Sequence, residues 1–193
     1  AGESYAQFFR ELSVECRKAG IVLSVDNYVP YNFNDFYRMD EQGVFADYVV
    51  VMLYDEHTKE PGSNSSLQYV DYGLDECFKD VEPERTIAAL PLYTRLWSTD
   101  SSGSSRSETM GIKAAAAYAE SNGMTVEFDE LSGQKYAELV TGGVTKQLWL
   151  EDADSLAAKM NVVKENNAGG IALWRLGYDT SDIWSVLDYR TQG

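Results

Sequence analysis

Four consecutive side chains able to donate, accept or exchange a proton, Tyr54-Asp55-Glu56-His57, follow directly on the apolar run Tyr48 to Leu53. A phenol donor beside two carboxylates and an imidazole is suited to holding a polar ligand. The preceding run of Val, Leu, Met and Tyr has the pattern of a strand buried on both faces, as in a parallel sheet. Pro61-Gly62 and a Ser/Asn cluster come next. In α/β barrels the strand ends and the loops after them build the active site. A plainer alternative is that Asp55 and Glu56 cap the next helix and His57 is an ordinary loop residue.

Three other apolar segments end in the same way. Ile21 to Val25 leads to Asp26-Asn27-Tyr28 and Pro30, Thr86 to Leu92 leads to Tyr93-Thr94-Arg95-Leu96-Trp97, and Gly169 to Trp174 leads to Arg175. Asp26 and Tyr28 can face the same cleft, without a defined role. Helical patterns separate these segments. Ser4–Lys18 carries Tyr5, Phe8, Phe9, Leu12 and Cys16 at steps of three and four, and Gly20 closes it. A short helix is expected over Asn34–Gln42, ended by Gly43. Another is expected over about 66–80, capped by Ser65 or Ser66 and broken by Pro83. Further helices are expected over Asp152–Glu165 and Asp182–Asp188. Strands at 21–25, 46–54, 86–92 and 169–174, alternating with helices across short connections, imply a parallel sheet with right-handed crossovers.

The rhythm changes between the third and fourth strands. Ser98–Ser107 holds six serines in ten residues and reads as an exposed loop, either a linker or a ligand-contacting segment. A helix over Thr109–Ser121 and short antiparallel strands over Met124–Phe128, Lys135–Val140 and Lys146–Leu150 make a small α+β insertion. The expected division is 1–97 and 152–193 for the parallel α/β part and 98–151 for the insertion. A complete eight-stranded barrel takes roughly 250 residues, so the 193 residues present supply about half of one.

Bulk properties exclude several function classes. The formal net charge of -15 argues against a nucleic-acid reader and against docking on anionic membranes. No apolar run approaches the roughly 20 residues of a membrane span, and no signal peptide is visible. The first residues run straight into a helix, as if the chain started in mid-domain. Cys16 and Cys77 sit on apolar helix faces and read as buried thiols without metal or redox spacing. A single histidine leaves almost no room for a histidine-based metal site or catalytic triad. Neither metal nor cofactor is expected.

The strand-end motifs resemble those of the family 18 glycoside hydrolases, the chitinase-like (β/α)8 barrels, in their C-terminal half. The family's sixth strand ends in Met-x-Tyr-Asp, here Met52-Leu53-Tyr54-Asp55. Its seventh ends in Pro-x-Tyr-x-Arg, here Pro91-Leu92-Tyr93-Thr94-Arg95. Its eighth ends in Gly-Gly-x-x-x-Trp, here Gly169-Gly170-Ile171-Ala172-Leu173-Trp174. The stretches from Phe128 to Tyr136 and from Leu148 to Lys159 are similar to the end of that family's α+β insertion and the helix after it. Tyr54-Asp55-Glu56-His57 resembles the subgroup linked to spore germination and cortex lysis, which acts on peptidoglycan. The resemblance runs over essentially the whole chain. It departs at two points. Thr94 stands where many members have Gly, and the catalytic run Asp-x-x-Asp-x-Asp-x-Glu is absent, residues 1–20 resembling the helix that follows it.

The resemblance implies a partial (β/α)8 barrel, strands five to eight, with the insertion between strands seven and eight. It implies substrate-assisted retaining hydrolysis of N-acetylglucosamine glycans, in which the 2-acetamido oxygen attacks the anomeric carbon while a Glu protonates the leaving oxygen. Peptidoglycan is preferred over chitin. Tyr54 would donate to the acetamido oxygen, and Asp55 would accept from the sugar and shape the local potential. Trp174 would offer a flat face to the ring, or else be core. Tyr93 and Arg95 would bind neighbouring sugar groups, although Arg95 could instead pair with a surface carboxylate. Met52 and Glu56 complete the candidate substrate-binding set, Glu56 and His57 having loop bracing as their alternative. Trp97, Trp149 and Trp184 are expected to pack. Without the acid Glu this piece alone should not hydrolyse, and the address implied is secreted, cell-wall or spore-associated. The other readings are a carbohydrate-binding relative that never had the acid, and an isolated half-barrel serving as a folding unit. Open edges at strands 21–25 and 169–174 would favour a homodimer.

Overall fold

The computed structural model describes residues 2–187. Helix α1 (Gly2–Ala19) opens the chain and buries Ala6, Phe9, Ser13 and Cys16 along one stripe. Strand β1 (Ser24–Tyr28) leads through a 3-10 turn (Asn32–Tyr37) to α2 (Met39–Phe45). Strand β2 (Tyr48–Met52) is followed by α3 (Leu67–Cys77), and then by β3 (Thr86–Pro91). After the single residue Leu92 comes β4 (Tyr93–Thr99), then β5 (Ser105–Gly111), α4 (Ile112–Ser121) and strands β6 (Thr125–Asp129), β7 (Gln134–Thr141) and β8 (Val144–Leu150). Helix α5 (Ala153–Glu165), β9 (Gly170–Trp174) and α6 (Ile183–Val186) close the described chain.

The strands form two sheets, a parallel one in the order β1-β2-β3-β9 and an antiparallel one in the order β5-β4-β8-β7-β6. Among the described residues the fold is therefore α/β, with one parallel and one antiparallel sheet and no closed barrel. Helices cover one face of the parallel sheet, where Val49, Val51, Leu53, Ala88, Leu90 and Leu92 meet Phe9, Val70, Leu74, Leu156, Met160 and Val163. A second core packs Ala115 and Ala119 of α4 on Leu96, Ala137, Leu148 and Leu150. Local chemistry sets the helix starts. Ser66 accepts the Tyr69 N–H at the head of α3. Asp152 and Ser155 exchange hydrogen bonds in a capping box at the head of α5.

Several expectations need correction. The first strand lies at 24–28 rather than 21–25, because pairing of Ser24 with Tyr48 starts the ladder there. Ile21 and Val22 are 58% and 67% exposed, so their apolar character does not mark a buried strand. The helix expected over 34–42 is two short ones, divided at Arg38, whose φ is 56°. Gly43 lies inside α2 and does not end it. A Cβ there would stand 2.3 Å from the Asp80 carbonyl oxygen, which is why the smallest residue occupies this helix contact.

The serine-rich segment is not a loop but most of a hairpin, with Thr99 paired to Ser105 and Tyr93 to Gly111. Asp100 holds its turn by accepting the N–H groups of Ser102 and Ser104. Residues 109–111 accordingly belong to β5, α4 starts at Ile112, and the boundary expected at 97/98 falls inside β4. The strand at 46–54 is not buried on both faces. Val49 and Val51 are buried, whereas Tyr48 is exposed and Val50 and Met52 are half-buried, because no described helix covers the second face of the parallel sheet. Helix α6 is shorter than the expected 182–188, and Asp188 lies outside the described residues. Trp97 is buried and Trp149 partly so, but Trp184 is half-exposed, its indole N–H donating to Asp179. Cys16 and Cys77 are buried free thiols.

Candidate active site

Parallel strands send their C-terminal ends to one edge, and register decides which side chains share a face. Met52 pairs with Ala89, Ala89 with Ala172, and Pro91 with Trp174. Val50, Met52, Tyr54, Ala89 and Ala172 gather on the face turned away from the helices, where Tyr93 and Tyr178 join them. Tyr54 and Trp174 thus stand on one face at one edge, about two strand spacings or roughly 10 Å apart. The Tyr54 ring meets the Tyr93 ring edge-on at 6.0 Å, and Tyr93 meets Tyr178 at 6.4 Å. Trp174 is 54% exposed and so is not core.

Asp55 is the polar centre of this edge. Its φ of 61° is left-handed, a conformation that Asp and Asn tolerate better than other side chains. The turn directs the carboxylate toward the second sheet, where the Tyr93 hydroxyl donates to Oδ1 at 2.7 Å and the Arg95 guanidinium at 2.6 Å. Both donors use Oδ1. Among the described residues, Oδ2 accepts no hydrogen bond. Arg95 pairs with Asp55 itself rather than with a carboxylate elsewhere on the surface.

Both phenols are held in the protonated form. Burial, with the charges of Asp55 and Asp26 and the neighbouring Tyr28 adding to it, pushes Tyr54 up to about 12. Burial and the hydrogen bond to Asp55 push Tyr93 up as well. Both hydroxyls therefore carry their protons throughout the neutral range.

Glu56 turns away from this edge. Its two oxygens take the N–H and the hydroxyl of Ser66, the cap of α3, at 2.8 and 3.1 Å. That is the bracing geometry left open for it by the sequence. His57 Nδ1 donates to the Ser63 carbonyl at 2.9 Å, with its ring packed on Gly62, where a Cβ would lie 2.3 Å from the ring. Asp26 and Tyr28 end β1 on the same edge, Tyr28 pairing with Met52.

Sequence reasoning missed three contributors. Asn64 is fully buried and donates to the Tyr93 carbonyl at 3.2 Å, and its own Oδ1, like Arg95 Nε, finds no partner among the described residues. Ser63 bonds to Gln134 of the second sheet. Tyr178 extends the aromatic group, with the Arg175 guanidinium 4.5 Å from its ring centre. Only the Ser/Asn cluster after Gly62 gave any signal, and it read as a loop leading into the next helix.

No described helix is long and apolar enough to cross a membrane, and no described group of three or more His, Cys, Asp or Glu side chains is arranged to hold a metal ion.

The model of the glycosyl hydrolases family 18 matches residues 1–179, and the chain belongs to that family. Among curated relatives, the cortical fragment-lytic enzyme of Bacillus anthracis is 25% identical, covering 96% of this chain and 45% of the relative. The uncharacterized glycosylase YvbX of Bacillus subtilis is 24% identical over 75% of this chain and 42% of its own length. Among solved structures, the Bacillus cereus spore cortex-lytic enzyme SleL has a TM-score of 0.85 at 25% identity, covering 96% of this chain and 45% of that one. A chitinase from Chromobacterium violaceum has a TM-score of 0.84 at 21% identity, covering 94% and 59%. The chain spans less than half the length of these curated relatives.

Proposed function

We propose that this chain is strands five to eight, with the α+β insertion, of a (β/α)8 glycoside hydrolase acting on N-acetylglucosamine glycans by substrate-assisted retaining chemistry. In that frame the uncovered face of the parallel sheet is barrel interior, and the edge bearing Tyr54 and Trp174 is the catalytic rim. The observation that carries the proposal is Asp55, held at Oδ1 by Tyr93 and Arg95 while, among the described residues, Oδ2 accepts no hydrogen bond, with the Tyr54 ring packed on Tyr93.

The proposed division of labour follows from that geometry. When the sugar's acetamido oxygen attacks its own anomeric carbon, positive charge grows on the acetamido group. The Tyr54 hydroxyl donates to the acetamido oxygen and orients it. Asp55 accepts from the acetamido N–H and offsets the developing charge. Met52 and Trp174 supply apolar surface beneath the ring, Trp174 being open to solvent for that purpose. Tyr93 and Arg95 act through Asp55 more than on the sugar, and Glu56 braces the loop.

Peptidoglycan is the preferred substrate, on the strength of Tyr54-Asp55-Glu56-His57 and of relatives named for cortex lysis, with chitin second. The natural site of action is then the cell wall or spore. The proton donor to the leaving oxygen is not among the 193 residues, which contain no Asp-x-x-Asp-x-Asp-x-Glu run. Incubation of the chain with an N-acetylglucosamine oligomer should release no shorter products. Release of such products would overturn the proposed need for a Glu from elsewhere.

A carbohydrate-binding relative without the acid is the second reading, favoured by that same missing run. The gene separates the two. The run encoded ahead of residue 1 marks the hydrolase, and a substituted Glu marks the binding module.

A further inference from the structure

The loop that carries Asp55 is anchored by a buried polar chain with a charged far end. Lys159 of α5 and Glu151, just after β8, form an ion pair whose side chains are 0% and 2% exposed. Glu151 Oε1 takes the Lys159 ammonium and, at 2.8 Å, the amide of Gln134, while Oε2 takes the Ser155 hydroxyl at 2.8 Å. The carbonyl of the Gln134 side chain then accepts the Ser63 hydroxyl, and Ser63 Oγ accepts the Ser65 N–H at 3.0 Å. Ser65 Oγ in turn donates to the Leu53 carbonyl at 2.6 Å, one residue before Tyr54. Two clamps lie beside this route. The Trp97 indole donates to the Gly62 carbonyl at 3.1 Å, and the Glu56 N–H donates to the Asn64 carbonyl at 3.2 Å.

A buried ion pair is a poor source of stability, because removing both charges from water costs about what their attraction returns. What such a pair does impose is direction. An ammonium, a carboxylate and a primary amide in series have fixed donor and acceptor ends, so only one arrangement satisfies every group. Here that arrangement ends on Ser63, and from there on the backbone preceding Tyr54 and Asp55.

We propose that Lys159, Glu151, Gln134 and Ser63 are positioning residues. They hold the loop between β2 and α3 in one conformation, and so aim the Tyr54 hydroxyl and the open Asp55 oxygen. This assignment rests on the reading of Tyr54 and Asp55 as the acetamido-sugar site. On this account the antiparallel sheet and α5 act as a mould for the rim, and the insertion contributes to the site without touching the sugar at these residues.

The test uses the chain itself, with two variants at separate links. Gln134→Met keeps length and volume but breaks both of its bonds, and Ser63→Ala removes the loop end. In each, amide exchange at Ser65 and Ser66 should quicken about tenfold, while Val51 and Ala88 in the sheet keep their wild-type rates. The affinity for an N-acetylglucosamine tetramer should fall by the same factor in each variant and no further in the double variant, because one chain is broken once. Unchanged exchange at Ser65 and Ser66 overturns the proposal, as do effects on affinity that simply add. Should Gln134→Met not fold, exchange in Ser63→Ala decides. If the wild-type chain takes no tetramer at all, the exchange pattern still decides the positioning role, and it is the sugar-site reading that fails.

Discussion

The Arg95 guanidinium lies 2.6 Å from Oδ1 of Asp55, although the two residues are 40 positions apart, Asp55 in the loop after β2 of the parallel sheet and Arg95 in β4 of the antiparallel one. Neither side chain is fully buried, so the pair contributes more than an exposed ion pair but only modestly to stability. Its consequence is geometric. Arg95 and Tyr93 both donate to one oxygen of Asp55, and among the described residues the other accepts no hydrogen bond.

Substitutions at Asp55 should separate backbone from carboxylate. Asn tolerates the left-handed φ of 61°, so Asp55→Asn should keep its unfolding free energy in urea within about 1 kcal/mol of wild type. Asp55→Ala should lose roughly 1–2 kcal/mol through the strain of that conformation. Both should weaken binding of an N-acetylglucosamine oligomer about tenfold in titration calorimetry, because a charge-assisted acceptor is lost. Asp55→Ala binding as tightly as wild type would remove Asp55 from the site.

Tyr54 predicts an alkaline signature. Its folded value of about 12 lies above the ordinary 10.0, so the unfolded chain releases this proton first as pH rises. Its contribution is therefore fully present below pH 10.0 and lost as pH climbs toward 12. Relative to Tyr54→Phe, the wild-type chain should lose stability across that window. The phenolate absorbance missing from the variant should be the step centred near 12, not one near 10.0.

The buried pair predicts a mutant that acid helps. Lys159→Met leaves Glu151 without its cation and should cost about 3–5 kcal/mol near neutral pH, whereas Lys159→Met with Glu151→Leu should come within about 1–2 kcal/mol of wild type. Burial pushes the Glu151 carboxyl above its ordinary 4.5. The unfolded chain then gives up that proton first, so the stability of Lys159→Met should fall as pH rises beyond about 4.5. Urea unfolding at several pH values checks both the size and the sign.

The uncovered sheet face predicts association. Strands β1 and β9 are the terminal strands of the parallel sheet, and Trp174, Tyr28 and Leu176 are exposed. Such edges and patches favour pairing with another copy when the rest of a barrel is not supplied. Sedimentation at micromolar concentration should show dimers or larger species. A monodisperse monomer would count against the half-barrel proposal.

Legibility in the sequence tracked how local the determining forces are. Strands β2, β3 and β9 were visible as apolar runs between turn residues, and α5 by its stripe of Leu156, Met160 and Val163. The β4–β5 hairpin was not, because its pairing joins Trp97 to Ser107 and Thr99 to Ser105 through alternating polar residues that locally resemble a linker. β1 was misplaced because Ile21 and Val22 are apolar yet lie outside the ladder. In the candidate site, Tyr54, Asp55 and Trp174 stood out as strand tips. Ser63, Asn64 and Gln134 did not, since the Ser63–Gln134 bond spans 71 positions and only folding brings them together.

The central claim is that this rim holds the acetamido group of a sugar. Saturation-transfer NMR on the chain with an N-acetylglucosamine tetramer tests it most directly. Saturation should concentrate on an acetamido methyl, and should vanish in Tyr54→Phe combined with Trp174→Ala while the fold persists. Equal saturation of a glucose tetramer, or a signal indifferent to both substitutions, would contradict the account.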